Sequence, residues 1–516
     1  MQASVLTGLF VLLFFAVMLG GGFACRRKAQ DVDGFVLGGR GVGPWLTAFA
    51  YGTSYFSAVI FVGYAGQFGW NFGVAATWIG LGNAFIGSLL AWNILGRRTR
   101  LLTQHLGSRT MPDFFGKRFE SESLKQFASI IVFVFLIPYT ASLYNGLSSL
   151  FGIAFDVPYT VCIIVMAVLT GIYVLFGGYL ATAVNDFIQG IIMLVGIFAV
   201  IVAVLNQNGG LMGSLEALAT SENGGWAYAS FLGPDPLSLL SVVLLTSLGT
   251  WGLPQMVGKF YAVKNEDAIK KGTLISTFFA IVVAGGCYFL GSFGRLFVSA
   301  DEVAAKGFDI IVPSMLKELA PIIIAVVIVL VLAASMSTLS SLVLTSASTL
   351  ALDLVVPKTK IKTEKSKLLT VRLFICFFIV VSAVIAILKD TLWSGSVFIA
   401  QMMGISWGAL AGAFLGPFLL GLYSKKVSKP AVWTSFILGV AVMTAQLVIS
   451  VFKIPVSFFL FKNSLVSGVF AMVLGTVAVI VVSAFTKKQI PAGVDEKFAC
   501  YDVKVLVHAD HSLEEE

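Results

Sequence analysis

The chain has 516 residues, 58% of them hydrophobic and only 12% charged, and its mean hydropathy is +0.94, so it has too little polar surface to cover a water-soluble globule. A net charge of +8 would suit a nucleic-acid binder in a soluble protein, but here Lys and Arg gather in short connectors between apolar runs, where they orient helices; no nucleic-acid partner is expected. Five scattered cysteines (Cys25, Cys162, Cys287, Cys376, Cys500) lack metal-ligand spacing, and the three histidines (His105, His508, His511) lie outside the apolar runs, which leaves little for a metalloenzyme or a histidine proton relay; no catalytic residues are expected.

Apolar stretches of about 20 residues recur along the chain, each long enough as a helix to cross about 30 Å of hydrocarbon. The first, Val5 to Ala24, lacks a basic n-region and is followed by Arg26, Arg27 and Lys28, the pattern of a retained helix whose C-terminal end is cytoplasmic. Further spans are predicted at 43–67, 73–95, 127–151, 158–176, 180–205, 237–258, 274–297, 321–350, 368–388, 397–423, 432–452 and 464–485, making 13 transmembrane helices in an all-α integral membrane fold. Basic residues then alternate as that count requires. Arg97, Arg98, Arg100, Arg109, Lys117 and Arg118 fall in one inner connector, Lys259, Lys264, Lys270 and Lys271 in the next, then Lys358, Lys360, Lys362, Lys365 and Lys367, then Lys425, Lys426 and Lys429; the outer connector 206–236 has none. The N-terminus is thus expected outside and the C-terminus inside, in the cell membrane, here a bacterial inner membrane. Residues 1–516 read as a single membrane domain: an extra N-terminal helix (1–28), a ten-helix core (41–423), two C-terminal helices (432–485) and a cytoplasmic tail (486–516).

Two spans carry interruptions. Gly52, Thr53, Ser54 and Ser57 sit mid-span in the second, and Gly249, Thr250, Trp251, Gly252, Leu253 and Pro254 do the same in the seventh. Gly weakens a helix and Pro removes a donor, so both segments can unwind and leave carbonyls free near the bilayer centre. The interruptions are five spans apart, so the ten-helix core divides five plus five with a broken helix opening each half. Five is odd, which makes the halves inverted repeats, a transporter layout. Kinking or close packing is the simpler account of a single interruption, whereas a matched pair points to function.

The ninth span is dense in hydroxyls: Ser335, Ser337, Thr338, Ser340, Ser341, Thr345, Ser346, Ser348 and Thr349. Ser337 and Ser341 are four apart and Thr338 and Ser341 three apart, so these oxygens share a helical sector and can complete a shell around a hard cation such as sodium. For any single serine, helix-to-helix hydrogen bonding is the simpler account. Asp186 is a carboxylate well inside a span, costly enough to be a functional candidate, with snorkelling or bonding to neighbouring hydroxyls as the plainer alternatives. Arg295, Arg372 and Asp353, close to span ends, are expected at the interface.

FVLGGRGVGPW (Phe35 to Trp45), TMPDFFGKRF (Thr110 to Phe119), GGYLATAVNDFIQG (Gly177 to Gly190) and AASMSTLSS (Ala333 to Ser341) resemble motifs of the sodium:solute symporter family, nearest to its proline, pantothenate and monocarboxylate branches; Val184 and Asn185 replace the family's usual Trp-Thr before the aspartate. The resemblance implies a LeuT-type fold and a sodium site formed by carbonyls of Thr53, Phe56 and Ala334 with hydroxyls of Ser337 and Thr338. It also implies a second sodium site at Asp186, Ser337, Ser340 and Ser341. One ion would support accumulation of roughly a few hundredfold and two roughly 10⁵-fold, at about 100 mV and a tenfold sodium gradient.

By position, the solute pocket should draw on Ser54, Tyr55, Ser57, Tyr139, Tyr144, Thr250, Trp251, Gln255, Gln401 and Trp407. Sugar carriers of the family place Gln and Glu on the first broken helix where this chain has Val59 and Ile60, so a small carboxylate-bearing solute fits better, its anionic group bound at a half-helix N-terminus. The proline branch's aromatic on the second broken helix is here Thr250. Apart from solute, sodium and lipid, no obligate partner is expected. A channel would want a filter motif, a sensor would want a cytoplasmic signalling domain, and proton coupling would suit the hydroxyl shell less well than a metal ion does.

Overall fold

The computed structural model describes residues 2–155, 158–392, 399–461 and 463–502; His508, His511 and the rest of the tail from 503 lie outside them. Among the described residues the chain is helical, with one isolated bridge and no strand. The helices are α1 (Gln2–Cys25), α2 (Pro44–Tyr55), α3 (Val59–His105), α4 (Glu122–Phe155), α5 (Tyr159–Asn206), α6 (Pro236–Gly252), α7 (Pro254–Ala262), α8 (Glu266–Leu296), α9 (Pro321–Lys358), α10 (Glu364–Leu392), α11 (Ile399–Tyr423), α12 (Lys429–Val451) and α13 (Ser464–Phe485). Among the described residues, ten candidate spans are long and apolar enough to cross a membrane, or eleven when α6 and α7, bent by 48°, form one more.

Two of those spans contain a reversal of conformation. In α5, Gly178 takes φ 56° and ψ −148°, and a Cβ there would stand 2.6 Å from the Phe35 carbonyl, so the position needs glycine on both counts. In α3 the chain turns at Gly73, with φ 59° and ψ −141°. Gly178 falls in the predicted connector between 158–176 and 180–205, and Gly73 is the first residue of the predicted span 73–95.

Burial sorts the helices. Most of α9 and α11 is enclosed by other helices, whereas α1, α10, α12 and α13 keep much of their surface outside. On α10 the exposed residues Leu369, Leu373, Phe377, Val380 and Val384 recur at helical spacing, an apolar stripe that only lipid would solvate well. Such an arrangement reverses the usual polar exterior and is what the composition requires.

Polar groups at one end of the bundle tie the connectors together. Arg118 is fully buried, donating to the Gly421 and Ser424 carbonyls at 3.0 and 2.9 Å and lying over the Phe119 and Phe498 rings. The segment after α13 returns to that end: Lys497 pairs with Glu120 at 2.6 Å, holding the Glu120 carboxyl below its ordinary range, and Tyr501 donates to the Arg98 carbonyl. Asp353, expected at the interface, is buried and accepts a hydrogen bond from the hydroxyl of Thr110, the N-cap residue of the connector helix Met111–Arg118.

Candidate cation and solute site

The two interruptions have the same backbone geometry. Between α2 and α3, Phe56 is extended at φ −85° and ψ 125°; between α6 and α7, Leu253 is extended at φ −87° and ψ 120°. Each follows a Gly-Thr pair at the same offset, Gly52-Thr53 before Phe56 and Gly249-Thr250 before Leu253. One extended residue breaks the i to i−4 ladder and strips the preceding carbonyls of their intrahelical partners. The chain beside the two helices is also joined: Val42 donates to the Ala262 carbonyl at 3.1 Å and its own carbonyl accepts from Lys264 N at 3.0 Å.

The freed carbonyls of the first break face α9. Thr338 Oγ1 lies 3.2 Å from the Thr53 carbonyl oxygen, 3.1 Å from that of Phe56 and 3.2 Å from that of Ala334. Ser337 Oγ lies 3.2 Å from the Thr53 oxygen and 3.0 Å from that of Ala334. All five residues expected as sodium ligands therefore converge in one buried cluster. Two hydroxyl protons face three carbonyl oxygens there, too few to bond every contact, so the arrangement is rich in lone pairs and suits a hard cation. Ser335, Ser340 and Ser348 spend their hydroxyls on carbonyls of their own helix, at 2.7, 2.9 and 3.2 Å, and supply nothing to the cluster.

Asp186 has no exposed surface, and its neighbourhood holds a group the sequence reading assigned to a connector. Lys259, at the middle of α7, is buried with its Nζ 3.7 Å from Asp186 Oδ2. The ammonium donates to Ser341 Oγ at 2.9 Å, and Ser54 Oγ lies 2.8 Å from Ser341 Oγ. Of the residues expected around a second sodium, Asp186 and Ser341 meet here, while Ser337 and Ser340 point to backbone carbonyls elsewhere. The signal available in the sequence was its position: Lys259 follows Gln255 by one helical turn in a segment still apolar enough to be membrane-embedded.

The expected solute residues divide into groups. Tyr55 and Tyr139 pack their rings on Trp407, with centroids 5.6 and 5.9 Å apart, and Ser57 follows Tyr55 across the break. Tyr55 Oη, Ser57 Oγ, Tyr139 Oη and Trp407 Nε1 are buried with no well-formed hydrogen bond among the described residues: the Tyr139 hydroxyl faces Ser57 and Trp407 and the Tyr55 hydroxyl faces Tyr288, a polar cluster at the end of an unwound helix. Thr250 donates to the Ser247 carbonyl and lines a neighbouring cavity with Tyr51, Asn83, Ser88 and Ser276. Trp251 is pinned to the Ile86 carbonyl at 3.1 Å, and Ser54 belongs with the Lys259 cluster. Gln255 lines one mouth of the bundle beside Lys259, whereas Gln401 lines the opposite mouth and donates to Ser450 Oγ at 2.6 Å. Tyr144, buried on α4 beyond Tyr139, faces Ser382 of α10.

Comparison with known proteins agrees with this architecture. The sequence model of the sodium:solute symporter family matches residues 35–439. The chain is 28% identical over 486 residues to the osmoregulated proline transporter OpuE of Bacillus subtilis (strain 168), covering 93% of this chain and 95% of that one. It is 28% identical over 447 residues to a sodium/proline symporter of Staphylococcus aureus, covering 85% of each. A solved structure of a Na+-coupled sialic acid symporter, substrate-bound and outward-open, superposes with a TM-score of 0.74 over 93% of this chain and 98% of that one; at 16% identity this is a likeness of fold.

Proposed function

The chain belongs to the sodium:solute symporter family, and from this premise, a sodium-coupled symporter of the cell membrane and not an enzyme, we propose that it imports a small carboxylate-bearing solute, with proline and related amino acids the first candidates. The observation that carries the coupling ion is the oxygen cluster of Thr53, Phe56, Ala334, Ser337 and Thr338, in which three carbonyls compete for two hydroxyl protons. Splitting α3 at Gly73 and α5 at Gly178, and counting α2 with the first part of α3 and α6 with α7 as single broken spans, supports a reading of thirteen crossings with the termini on opposite faces, and the basic connectors favour the N-terminus outside and the C-terminus inside. The mouth lined by Gln255 and Lys259 is then cytoplasmic, and the mouth lined by Gln401 extracellular.

For the solute, the hydroxyls of Tyr55, Ser57 and Tyr139 and the Trp407 indole offer donors around an apolar ring face. The helix restarts at Ser57, whose carbonyl accepts from Ile60 and Phe61, so its first-turn N–H groups point back into the break, where a carboxylate would be stabilised. Val59 and Ile60, buried and apolar, offer no donor to a polyol. Amino-acid transport by the relatives named above supports the same class.

Uptake into proteoliposomes of labelled proline, other amino acids, monocarboxylates, pantothenate, sialic acid and sugars, with and without an inward sodium gradient, tests the reading. Sodium-driven accumulation of an amino acid or monocarboxylate is expected; uptake driven equally by protons or potassium, or confined to sugars, would overturn it. In the same assay Tyr139→Phe is expected to raise the half-saturating solute concentration roughly tenfold, about the worth of one buried hydrogen bond, with sodium dependence unchanged. An unchanged solute dependence would remove Tyr139 from the pocket.

A further inference from the structure

Asp186 and Lys259 form a buried ion pair that sodium coupling at the Thr338 cluster does not require. Neither Asp186 oxygen has a hydrogen-bond partner among the described residues, so the carboxylate's compensation is the ammonium at 3.7 Å. That ammonium donates to Ser341 Oγ at 2.9 Å, lies 5.2 Å from the centre of the Tyr179 ring, and faces Asp186. We propose that Lys259 is a resident cation that takes the place of a second sodium beside Asp186 and Ser341, so that the protein binds and couples a single sodium ion; this rests on the sodium-symporter reading above.

Chemistry and placement support the exchange. A carboxylate and serine hydroxyls are hard oxygen donors, the set a sodium ion would take, and the ammonium sits among them at hydrogen-bonding distance from Ser341. A metal ion entering the same space would share Asp186 and Ser341 with a positive group that cannot leave, and like charges at such separation in a buried setting repel strongly. Of the two other serines expected there, Ser337 belongs to the Thr338 cluster and Ser340 donates to the Ser337 carbonyl of its own helix. Because Lys259 is tethered to α7, it neutralises Asp186 throughout the cycle yet carries no charge across the membrane. The driving force is then that of one sodium, roughly a few hundredfold accumulation of a solute without net charge and not 10⁵-fold. A buried ion pair kept only for stability is a weak alternative, since apolar replacements are often as stable.

The test counts sodium ions bound per chain, using radioactive sodium and the full-length protein in detergent, and needs no knowledge of the solute. One ion is expected for the wild type, two for Lys259→Met, and one again for the Asp186→Asn/Lys259→Met double variant, where neither charge remains. Lys259→Met should also melt at a temperature that rises more steeply with sodium than the wild type's, because the metal would then compensate Asp186. Two ions in the wild type, or equal counts in wild type and Lys259→Met, would overturn the proposal, as would a Lys259→Met protein that fails to fold and is not rescued by sodium while the double variant folds. No ion in the wild type but one in Lys259→Met would instead overturn the sodium-symporter reading and leave the resident cation standing.

Discussion

Thr338→Ala is expected to raise the sodium concentration for half-maximal uptake roughly 10- to 150-fold, the equivalent of about 1.5–3 kcal/mol for one contact to a charged partner. The hydroxyl it removes is the one oxygen within 3.2 Å of all three carbonyls, those of Thr53, Phe56 and Ala334. No other side chain bridges the broken helix to α9 in that way, since Ser337 reaches the Thr53 and Ala334 oxygens alone. Thr338→Ser keeps the oxygen and should retain most of the sodium affinity. Ser335→Ala removes a hydroxyl from the same helix that bonds only the Val331 carbonyl, and should leave sodium dependence within a factor of about two, as expected for a side chain whose loss leaves no buried group unpaired. If Thr338→Ala and Ser335→Ala behave alike, the hydroxyl cluster is helix packing and the coupling ion binds elsewhere.

The contrast between those two positions shows where the sequence was informative. Gly and Pro mark breaks because they alter the backbone directly, so Gly52-Thr53 and Gly249 to Pro254 could be located from residue type, whereas the single extended residue three places after each threonine is known from the structure. Hydroxyl spacing is less decisive. Ser337 and Ser340 both lie on plausible faces of α9, but a serine in a helix can always bond the carbonyl three or four residues back, and Ser340 does so. Lys259 escaped notice because the rule that gathers Lys near the cytoplasm counts residues by position along the chain, whereas the fold turns α7 inward and buries that side chain. Burial of Asp353 was likewise hidden, because its partner Thr110 lies far away in the chain and only the fold brings the two together. The solute residues were the hardest to read, because Gln401 and Gln255 lie on helices that also reach the core and end up in opposite mouths.

Gly69→Val should have the second large effect, on stability before transport. The part of α3 that follows the first break packs against α8 with no side chains between: a Cβ on Gly69 would stand 1.9 Å from the Gly291 carbonyl oxygen, and one on Gly291 would stand 2.1 Å from that of Ala65. Both obstacles are backbone, which cannot rotate aside as a flexible side chain can. The two helices must therefore separate, and close packing of small residues is what holds helices together where lipid supplies no hydrophobic drive. A destabilisation of about 3 kcal/mol, the upper end for overpacking, or more is expected, read as a lower melting temperature in detergent. Gly20→Ala, on α1 with nothing within 4 Å of the added carbon, should melt as the wild type does or slightly higher. The start of α3 is also the wall from which Phe56 and the restart at Ser57 hang, so a displaced α3 would pull the Phe56 carbonyl away from Thr338. Any Gly69→Val protein that survives purification should accordingly need more sodium for half-maximal uptake; one that melts and couples like the wild type would mean that the approach of Gly69 to Gly291 is looser than these distances require.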